Sequence, residues 1–144
     1  MSLQKWDVRF LELARFVANW SLDPSTKVGA VISDKHNRVV SIGYNGFPKG
    51  IKDDERLNDR ETKYKIIVHG EINAITFANR NLEDCTLYTY PFEPCPRCAG
   101  IIIQSGIKRI VAPINKIDRW ENDFVLSRQL FNEANIKIDY YEVN

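Results

Sequence analysis

The sequence predicts an α/β fold in which a mixed sheet of about five strands lies between helices. Three observations carry this prediction. Residues 27–44 have the composition of a β-hairpin, strands and helices alternate over residues 86–143, and apolar side chains recur at helical spacing in the first twenty residues. A hairpin is antiparallel, whereas strands joined by helical crossovers pair in parallel, so the sheet must contain both arrangements.

Residues that end helices or form turns separate the predicted elements. An amphipathic helix is predicted over residues 3–20 and ends before Asp23 and Pro24, which stop a helix. Gly and Pro mark a loop at 45–50 that follows the hairpin. The other predicted elements are the hairpin strands 27–33 and 38–44, helices at 69–79, 95–105 and 122–134, and strands at 86–90, 107–111 and 136–143.

Two further segments are interpreted from composition. Residues 51–65 are strongly charged, which indicates a solvated loop or helix. Cys85 stands at the start of an apolar run, so we predict a small core residue and not a ligand.

Size and charge suit one soluble domain over residues 1–144. The chain is 44% hydrophobic and 27% charged, which is ordinary for a globular protein. A net charge of +1 without a basic block predicts no nucleic-acid partner. Because no apolar run approaches membrane-span length and no export segment is recognisable, we expect no membrane association and a cytoplasmic location, in the host cytoplasm if the protein is virus-encoded.

The motifs that carry chemistry are His-Gly-Glu at residues 69–71 and Pro-Cys-Pro-Arg-Cys at residues 94–98. One imidazole and two thiolates make three zinc ligands, and the open fourth position is typical of a catalytic site. Together the motifs form the signature of zinc-dependent nucleobase deaminases. A structural zinc ribbon would need a second ligand pair, and Cys85 and His36 do not form one.

The predicted helices explain how these residues act together. His69 and Glu71 begin one helix, and Cys95 and Cys98 lie in the first turn of another, where the helix dipole lowers thiol pKa values. We expect zinc-bound hydroxide to attack an amidine-like ring carbon while Glu71 shuttles protons to the ring nitrogen and the departing amine, which is hydrolytic deamination. An acid at a helix N-terminus can also serve the dipole alone, but the cysteine pair favours the catalytic role.

Longer stretches of the chain resemble the deoxycytidylate (dCMP) deaminase family, over roughly residues 5–140. The residues at 23–32 and 43–48 are the more specific part of the resemblance, and 69–75, 94–99 and 104–107 extend it. The resemblance implies a three-layer α/β/α cytidine-deaminase-like fold and one Zn²⁺ per chain, held by His69, Cys95 and Cys98. It also implies conversion of dCMP to dUMP and ammonia, which supplies dUMP for thymidylate synthesis.

The resemblance also implies the substrate contacts. Asn45 is expected near the sugar or the base, since an amide offers a donor and an acceptor, although a simple turn asparagine is the alternative. Our hypothesis is that Lys116 or Arg119 binds the 5′-phosphate, with Trp120 alongside. The full set of expected substrate-binding residues is Lys27, Val28, Asn45, Gly70, Pro94, Lys116, Arg119 and Trp120, with Lys63 and Lys65 as weaker phosphate candidates.

Members of this family are often hexamers that dCTP and dTTP regulate. The resemblance therefore implies a homo-oligomer, either a hexamer or a dimer, and a regulatory nucleotide at Gly43, Tyr44, Asn45 and Gly46. The chain departs from the family pattern at residues 51–53, which leaves regulation open, and at residues 90–93, where the loop before the cysteines is one residue longer. Gly70 also replaces the usual alanine.

Two other functions stay open at this point. The first is a deaminase of a free nucleoside or of tRNA, although an RNA enzyme needs a positive groove that the near-neutral charge does not indicate. The second is a non-catalytic nucleotide-binding protein that zinc stabilises. Glu71 argues against it, because a structural site has no use for a proton shuttle.

Overall fold

The computed structural model describes residues 4–114 and 121–142, which form five strands and five α-helices. The ends of each predicted helix and strand agree with the structure within two residues, and the charged run at residues 51–65 adds a short 3₁₀ helix and a further α-helix. In chain order the elements are α1 (Lys5–Ala18), β1 (Gly29–Ser33), β2 (Val39–Tyr44), the 3₁₀ helix (Glu55–Asn58), α2 (Arg60–Ile66), α3 (Gly70–Ala78), β3 (Thr86–Tyr90), α4 (Pro96–Ser105), β4 (Arg109–Pro113), α5 (Glu121–Glu133) and β5 (Lys137–Tyr141).

The five strands form one mixed sheet in the order β2-β1-β3-β4-β5. The hairpin strands β1 and β2 are antiparallel, and β1 is also antiparallel to β3. Helical crossovers make β3, β4 and β5 parallel to one another. The predicted mixed sheet is therefore confirmed.

Helices cover both faces of the sheet. Helix α1 packs on β1 and β3 from one side, while α3 and α4 lie on the other side, with α5 packed against α4 and β5. The interior strand β1, between β2 and β3, is buried along its whole length, as a strand covered on both faces should be. Its side chains alternate: Ala30 and Ile32 enter one apolar cluster and Val31 enters the other. The expected three-layer fold is confirmed.

Two glycines allow the helices to lie close to the hairpin. A Cβ at Gly29 would lie 2.0 Å from the carbonyl oxygen of Ala14 in α1. A Cβ at Gly43 would lie 2.4 Å from the backbone nitrogen of Ala74 in α3. Real Cβ atoms do not approach backbone atoms so closely, so both positions require glycine for helix–sheet packing.

Two other sequence-based expectations concern residues outside the site. Cys85 is 1% exposed and belongs to the larger apolar cluster, which confirms it as a core residue. No helix among the described residues combines the length and the apolar character needed to cross a membrane.

An ion pair between the buried Asp7 and the half-buried Arg109 connects helix α1 to the sheet. Asp7 in its first turn receives two hydrogen bonds from the Arg109 guanidinium, at 2.8 and 2.9 Å, and one from the Tyr88 hydroxyl at 2.6 Å. Burial raises the pKa of Asp7, but the hydrogen bonds from Arg109, Tyr88 and the Gln4 backbone outweigh it and lower the pKa to about 2. The carboxylate is thus held in its charged form.

We predict that Asp7→Asn lowers the free energy of unfolding at pH 7 by about 2 kcal/mol, because a pKa near 2 instead of the ordinary value contributes that much stability. Because the pKa of Asp7 is lower in the folded state, its charge stabilises the fold at pH values above the unfolded-state pKa of 3.8. This contribution is lost as the pH falls through the folded-state pKa of about 2. Urea unfolding at pH 7 and at pH 2 measures the difference in the free energy of unfolding between wild type and variant. This difference should be smaller at pH 2. The exposed Asp53→Asn is the matched control, and an equal loss at both pH values would contradict the prediction.

Candidate active site

The two sequence motifs meet at the N-termini of α3 and α4. His69 is the N-cap residue of α3, and Cys95 is the N-cap residue of α4. Neither side chain caps its own helix, so both can point toward a shared ligand. Pro96 occupies the first turn of α4, where its missing N–H costs nothing, and Cys98 follows in the same turn. The predicted start of a helix at each motif is confirmed.

His69, Cys95 and Cys98 form a group positioned to bind one metal ion. The Nδ1 atom of His69 lies 3.1 Å from Sγ of Cys98 and 3.5 Å from Sγ of Cys95, and the two sulfurs are 3.7 Å apart. Tetrahedral zinc, with bonds of about 2.0 to 2.3 Å, sets its donor atoms about 3.5 to 3.8 Å apart. Two of the three distances lie in this range, and the His69–Cys98 distance is shorter, so a small outward shift of one side chain lets the three donors hold a single zinc ion with one position left over.

Without a metal, these three residues share protons. Hydrogen bonds from Cys98 and His69 lower the pKa of the Cys95 thiol to about 4, although burial opposes this shift. The hydrogen bond to Cys95, together with burial, raises the pKa of Cys98, and the same thiolate raises the pKa of His69. Binding of zinc replaces these protons, which is why the affinity of such a site depends on pH.

Glu71 lies beside the metal group without a hydrogen-bond partner for one of its oxygens. Its side chain is on the first turn of α3 and is 4% exposed. Among the described residues, its Oε1 atom accepts no hydrogen bond. Burial raises the pKa of this carboxyl. A buried, unpartnered carboxylate is costly for folding, so its presence here fits a group that exchanges protons with a ligand.

A cavity of about 510 Å³ opens onto this group, within the range of small-molecule sites. Its wall combines apolar side chains from α2, α5 and the loop before α4 with polar groups from the loops around the hairpin. The lining residues are Asp23, Thr26, Val28, Asn45, Tyr64, Ile67, His69, Gly70, Glu71, Phe92, Glu93, Cys95, Pro96, Arg97, Asp123, Phe124 and Leu126.

The structure brings only some of the expected substrate contacts to this cavity. Val28, Asn45 and Gly70 line it, whereas Pro94 is buried outside the lining and Lys27 is exposed outside it. Arg97 is the cation among the described lining residues. The predicted contacts Lys116, Arg119 and Trp120 lie outside the described residues.

Asn45 is more than a turn residue. It is buried, and its Oδ1 accepts a 2.8 Å hydrogen bond from the Val28 backbone. Its Nδ2 donates to the carbonyl of Thr26 at 2.9 Å and to Oδ2 of Asp23 at 3.3 Å. The side chain thus ties the loop before β1 to the loop after β2, at the wall of the cavity.

The solvated interpretation of residues 51–65 is wrong for Lys63. This side chain is 3% exposed and pairs with Asp23, whereas Lys65 is exposed and lies 3.6 Å from Glu61. Neither lysine lines the cavity. One signal was available in the sequence: Lys63 precedes the apolar Ile67 by one helical turn, so it shares the side of α2 that Ile67 buries.

A second charged pair was not predicted. Glu93 is 2% exposed in the loop before Cys95 and accepts two hydrogen bonds from Arg128 of α5, at 2.7 and 2.8 Å. The Tyr140 hydroxyl donates to the same carboxylate at 3.1 Å. The longer loop noted at residues 90–93 is therefore anchored to the last helix and strand, which holds the approach to Cys95.

Comparisons with known proteins agree with this geometry. The family model for the cytidine and deoxycytidylate deaminase zinc-binding region matches residues 4–113. A protein of Aliivibrio fischeri described as an uncharacterized deaminase in the luxG 3′ region is 44% identical over 141 residues, which cover 96% of this chain and 95% of that protein. Human deoxycytidylate deaminase is 37% identical over 139 residues, which cover 92% of this chain and 77% of the human protein.

A solved structure shares the fold. The dCMP deaminase of cyanophage S-TIM5, in complex with dCMP and dUMP, superposes with a TM-score of 0.78 over 98% of this chain and all of that one, at 17% identity. All three residues of the metal group lie within the region that the family model matches, and the relatives match nearly the whole chain. The chain therefore belongs to the cytidine and deoxycytidylate deaminase family.

Proposed function

We propose that this protein catalyses the zinc-dependent hydrolytic deamination of dCMP to dUMP and ammonia, supplying dUMP for thymidylate synthesis. One observation carries the proposal: three convergent donors stand beside the unpartnered carboxylate of Glu71 at the end of a cavity. The substrate rests on the relatives, since the human relative is named deoxycytidylate deaminase and the cyanophage enzyme was solved with dCMP and dUMP.

His69, Cys95 and Cys98 would hold the zinc, which supplies a Lewis acid that lets water ionise near neutral pH. Glu71 accepts the proton of the attacking water as oxygen bonds to C4 of the cytosine. It gives that proton to N3 of the ring and then carries the proton of the new C4 hydroxyl to the amino group. The C4 carbonyl forms as the bond from C4 to the amino nitrogen breaks and ammonia leaves. Burial raises the pKa of Glu71, so the side chain can both accept and release a proton more readily than an ordinary carboxylate.

The cavity wall orients the nucleotide. Phe92 and Phe124, whose rings lie 6.3 Å apart, offer an apolar surface to the base. Val28, Asn45 and Gly70 also line the cavity, and we place the sugar against them. Pro94 and Lys27 then act through the position of their loops, since neither lines the cavity.

The 5′-phosphate requires a cation. We propose Lys116 or Arg119 for this role, with Trp120 alongside, and all three lie outside the described residues. Arg97 is the competing candidate, because it is exposed and lines the cavity one residue before Cys98.

We further propose a single domain over residues 1–144 that works as a homo-oligomer, a hexamer or a dimer, in the cytoplasm. The exposed aromatic rings of Phe16, Trp20 and Tyr44, which contact one another edge to face, support self-association. Regulation by dCTP and dTTP at Gly43, Tyr44, Asn45 and Gly46 stays a prediction. Close packing against α3 already accounts for the glycine at 43.

The direct test of the function is ammonia release by the zinc-loaded protein from dCMP, deoxycytidine and a short tRNA stem-loop at equal concentration. We expect the largest kcat/KM for dCMP and at least tenfold less for the other two, since a lost charge-assisted contact corresponds to about tenfold or more. A preference for deoxycytidine or for the RNA would instead support the other deaminase functions, and no release from any of them would contradict the proposal.

Glu71→Gln should lower kcat for dCMP by roughly 10²- to 10⁴-fold, because glutamine keeps the shape of the side chain but cannot carry a proton. Zinc content should stay at the wild-type value, since Glu71 is not one of the three donors. Ammonia release and elemental analysis measure both quantities. The exposed Glu83→Gln is the matched control, and unchanged turnover in Glu71→Gln would remove this residue from the mechanism.

The phosphate contact can be identified with Lys116→Ala, Arg119→Ala and Arg97→Ala. The variant that removes the contact should raise KM for dCMP by about tenfold to a hundredfold, while deoxycytidine turnover and zinc content do not change. Steady-state kinetics with both substrates measures this difference. An unaltered KM in Lys116→Ala and Arg119→Ala would overturn the proposed assignment.

A further inference from the structure

Lys63 and Asp23 form a buried ion pair next to the cavity. The Lys63 Nζ lies 3.0 Å from Asp23 Oδ1 and 3.1 Å from Ser25 Oγ, and both charged side chains are almost fully buried. Removing two charges from water is costly, and apolar side chains of similar size often serve stability equally well. Stability alone therefore does not explain this ion pair, and the residues that it positions offer another explanation.

The pair holds one wall of the cavity. Asp23 Oδ1 also accepts hydrogen bonds from the backbone of Ser25 at 2.8 Å and of Thr26 at 3.3 Å, which fixes the turn before β1. Asp23 Oδ2 accepts from Nδ2 of Asn45. Asp23, Thr26 and Asn45 line the cavity, whereas Lys63 lies behind them and does not.

This network allows only one orientation of the Asn45 amide. A carboxylate and a carbonyl can only accept hydrogen bonds, so Nδ2 must face Asp23 and Thr26. The Val28 backbone N–H can only donate, so Oδ1 must face Val28. Lys63 fixes the position of the carboxylate that holds this orientation together with Thr26 and Val28.

We infer that Lys63 is a positioning residue for the sugar of the substrate, acting through Asp23 on Asn45 and on the loop of residues 23–28. The inference rests on the proposed function, in which this wall receives the sugar. Within the described part of the chain, the network shares no hydrogen bond with His69, Glu71, Cys95 or Cys98. Loss of Lys63 should therefore weaken nucleotide binding and leave the deamination chemistry intact.

The test compares Lys63→Met with Lys65→Met, a control on the same helix whose lysine is exposed and lies away from the cavity. We expect Lys63→Met to raise KM for dCMP about tenfold, with kcat and zinc content close to wild type. For the 3′-deoxy analogue of dCMP, which lacks the sugar hydroxyl, the increase in KM should largely disappear. A general loss of structure would affect both nucleotides alike and would lower kcat as well.

Lys63→Met leaves a buried carboxylate without its partner and can fail to fold. The double variant Asp23→Asn/Lys63→Met removes both charges and should fold. Asparagine at 23 is neutral and offers a donor as well as an acceptor, so it holds the Asn45 amide less firmly than the carboxylate does, although Thr26 and Val28 still bond it. We expect this double variant to keep the increase in KM for dCMP and its dependence on the 3′-hydroxyl.

Calorimetric titration of the zinc-loaded proteins with dUMP makes the same comparison without turnover. The Lys63 inference is overturned if the double variant binds like wild type, or if Lys63→Met and Lys65→Met behave alike. It is also overturned if Lys63→Met raises KM for the 3′-deoxy analogue as much as it raises KM for dCMP. A wild type that binds dUMP but releases no ammonia from dCMP contradicts the proposed function alone, and a wild type that does neither contradicts both.

Discussion

The convergence of two helix N-termini is the constraint on which the rest of the structure depends. His69 and Cys95 are both N-cap residues, so their backbones lie outside the regular helix and their side chains can point forward, between α3 and α4. The sheet sets the spacing of the two helices, since α3 packs on the hairpin and α4 follows β3 directly. The close approach of α3 at Gly43 is therefore a requirement of the donor geometry as well as of the core.

The three buried carboxylates at the cavity differ in how many hydrogen-bond partners they have. Glu93 is saturated by Arg128 and Tyr140, and Asp23 is saturated by Lys63, Asn45 and backbone amides. Glu71 alone among these three keeps an oxygen without a partner in the described part of the chain. The protein therefore satisfies the acids that shape the walls and leaves open the acid that faces the metal group.

Much of the fold and the core of the site could be predicted, because the signals are local. The His69 and Cys95 motifs each lie within a few residues, and the hairpin and crossovers follow from short-range periodicity. Lys63 and Arg128 could not be predicted in the same way, since their partners lie 40 and 35 residues away. Composition assigns such charges to solvent by default, and only the fold shows which of them are buried. The cavity contacts of Asn45 were expected, but its role as a tie between loops was not.

The two halves of the site are built from separate parts of the fold. The N-termini of helices α3 and α4 supply the donors and Glu71, while the turn before β1 and the loop after β2 supply the polar wall, which Lys63 of α2 supports from behind. Because the hydrogen bonds of that wall do not involve the donors, its side chains can change without altering the geometry at the metal. In the proposed function, the helix N-termini therefore hold the metal and Glu71, while the loops around the hairpin contact the nucleotide.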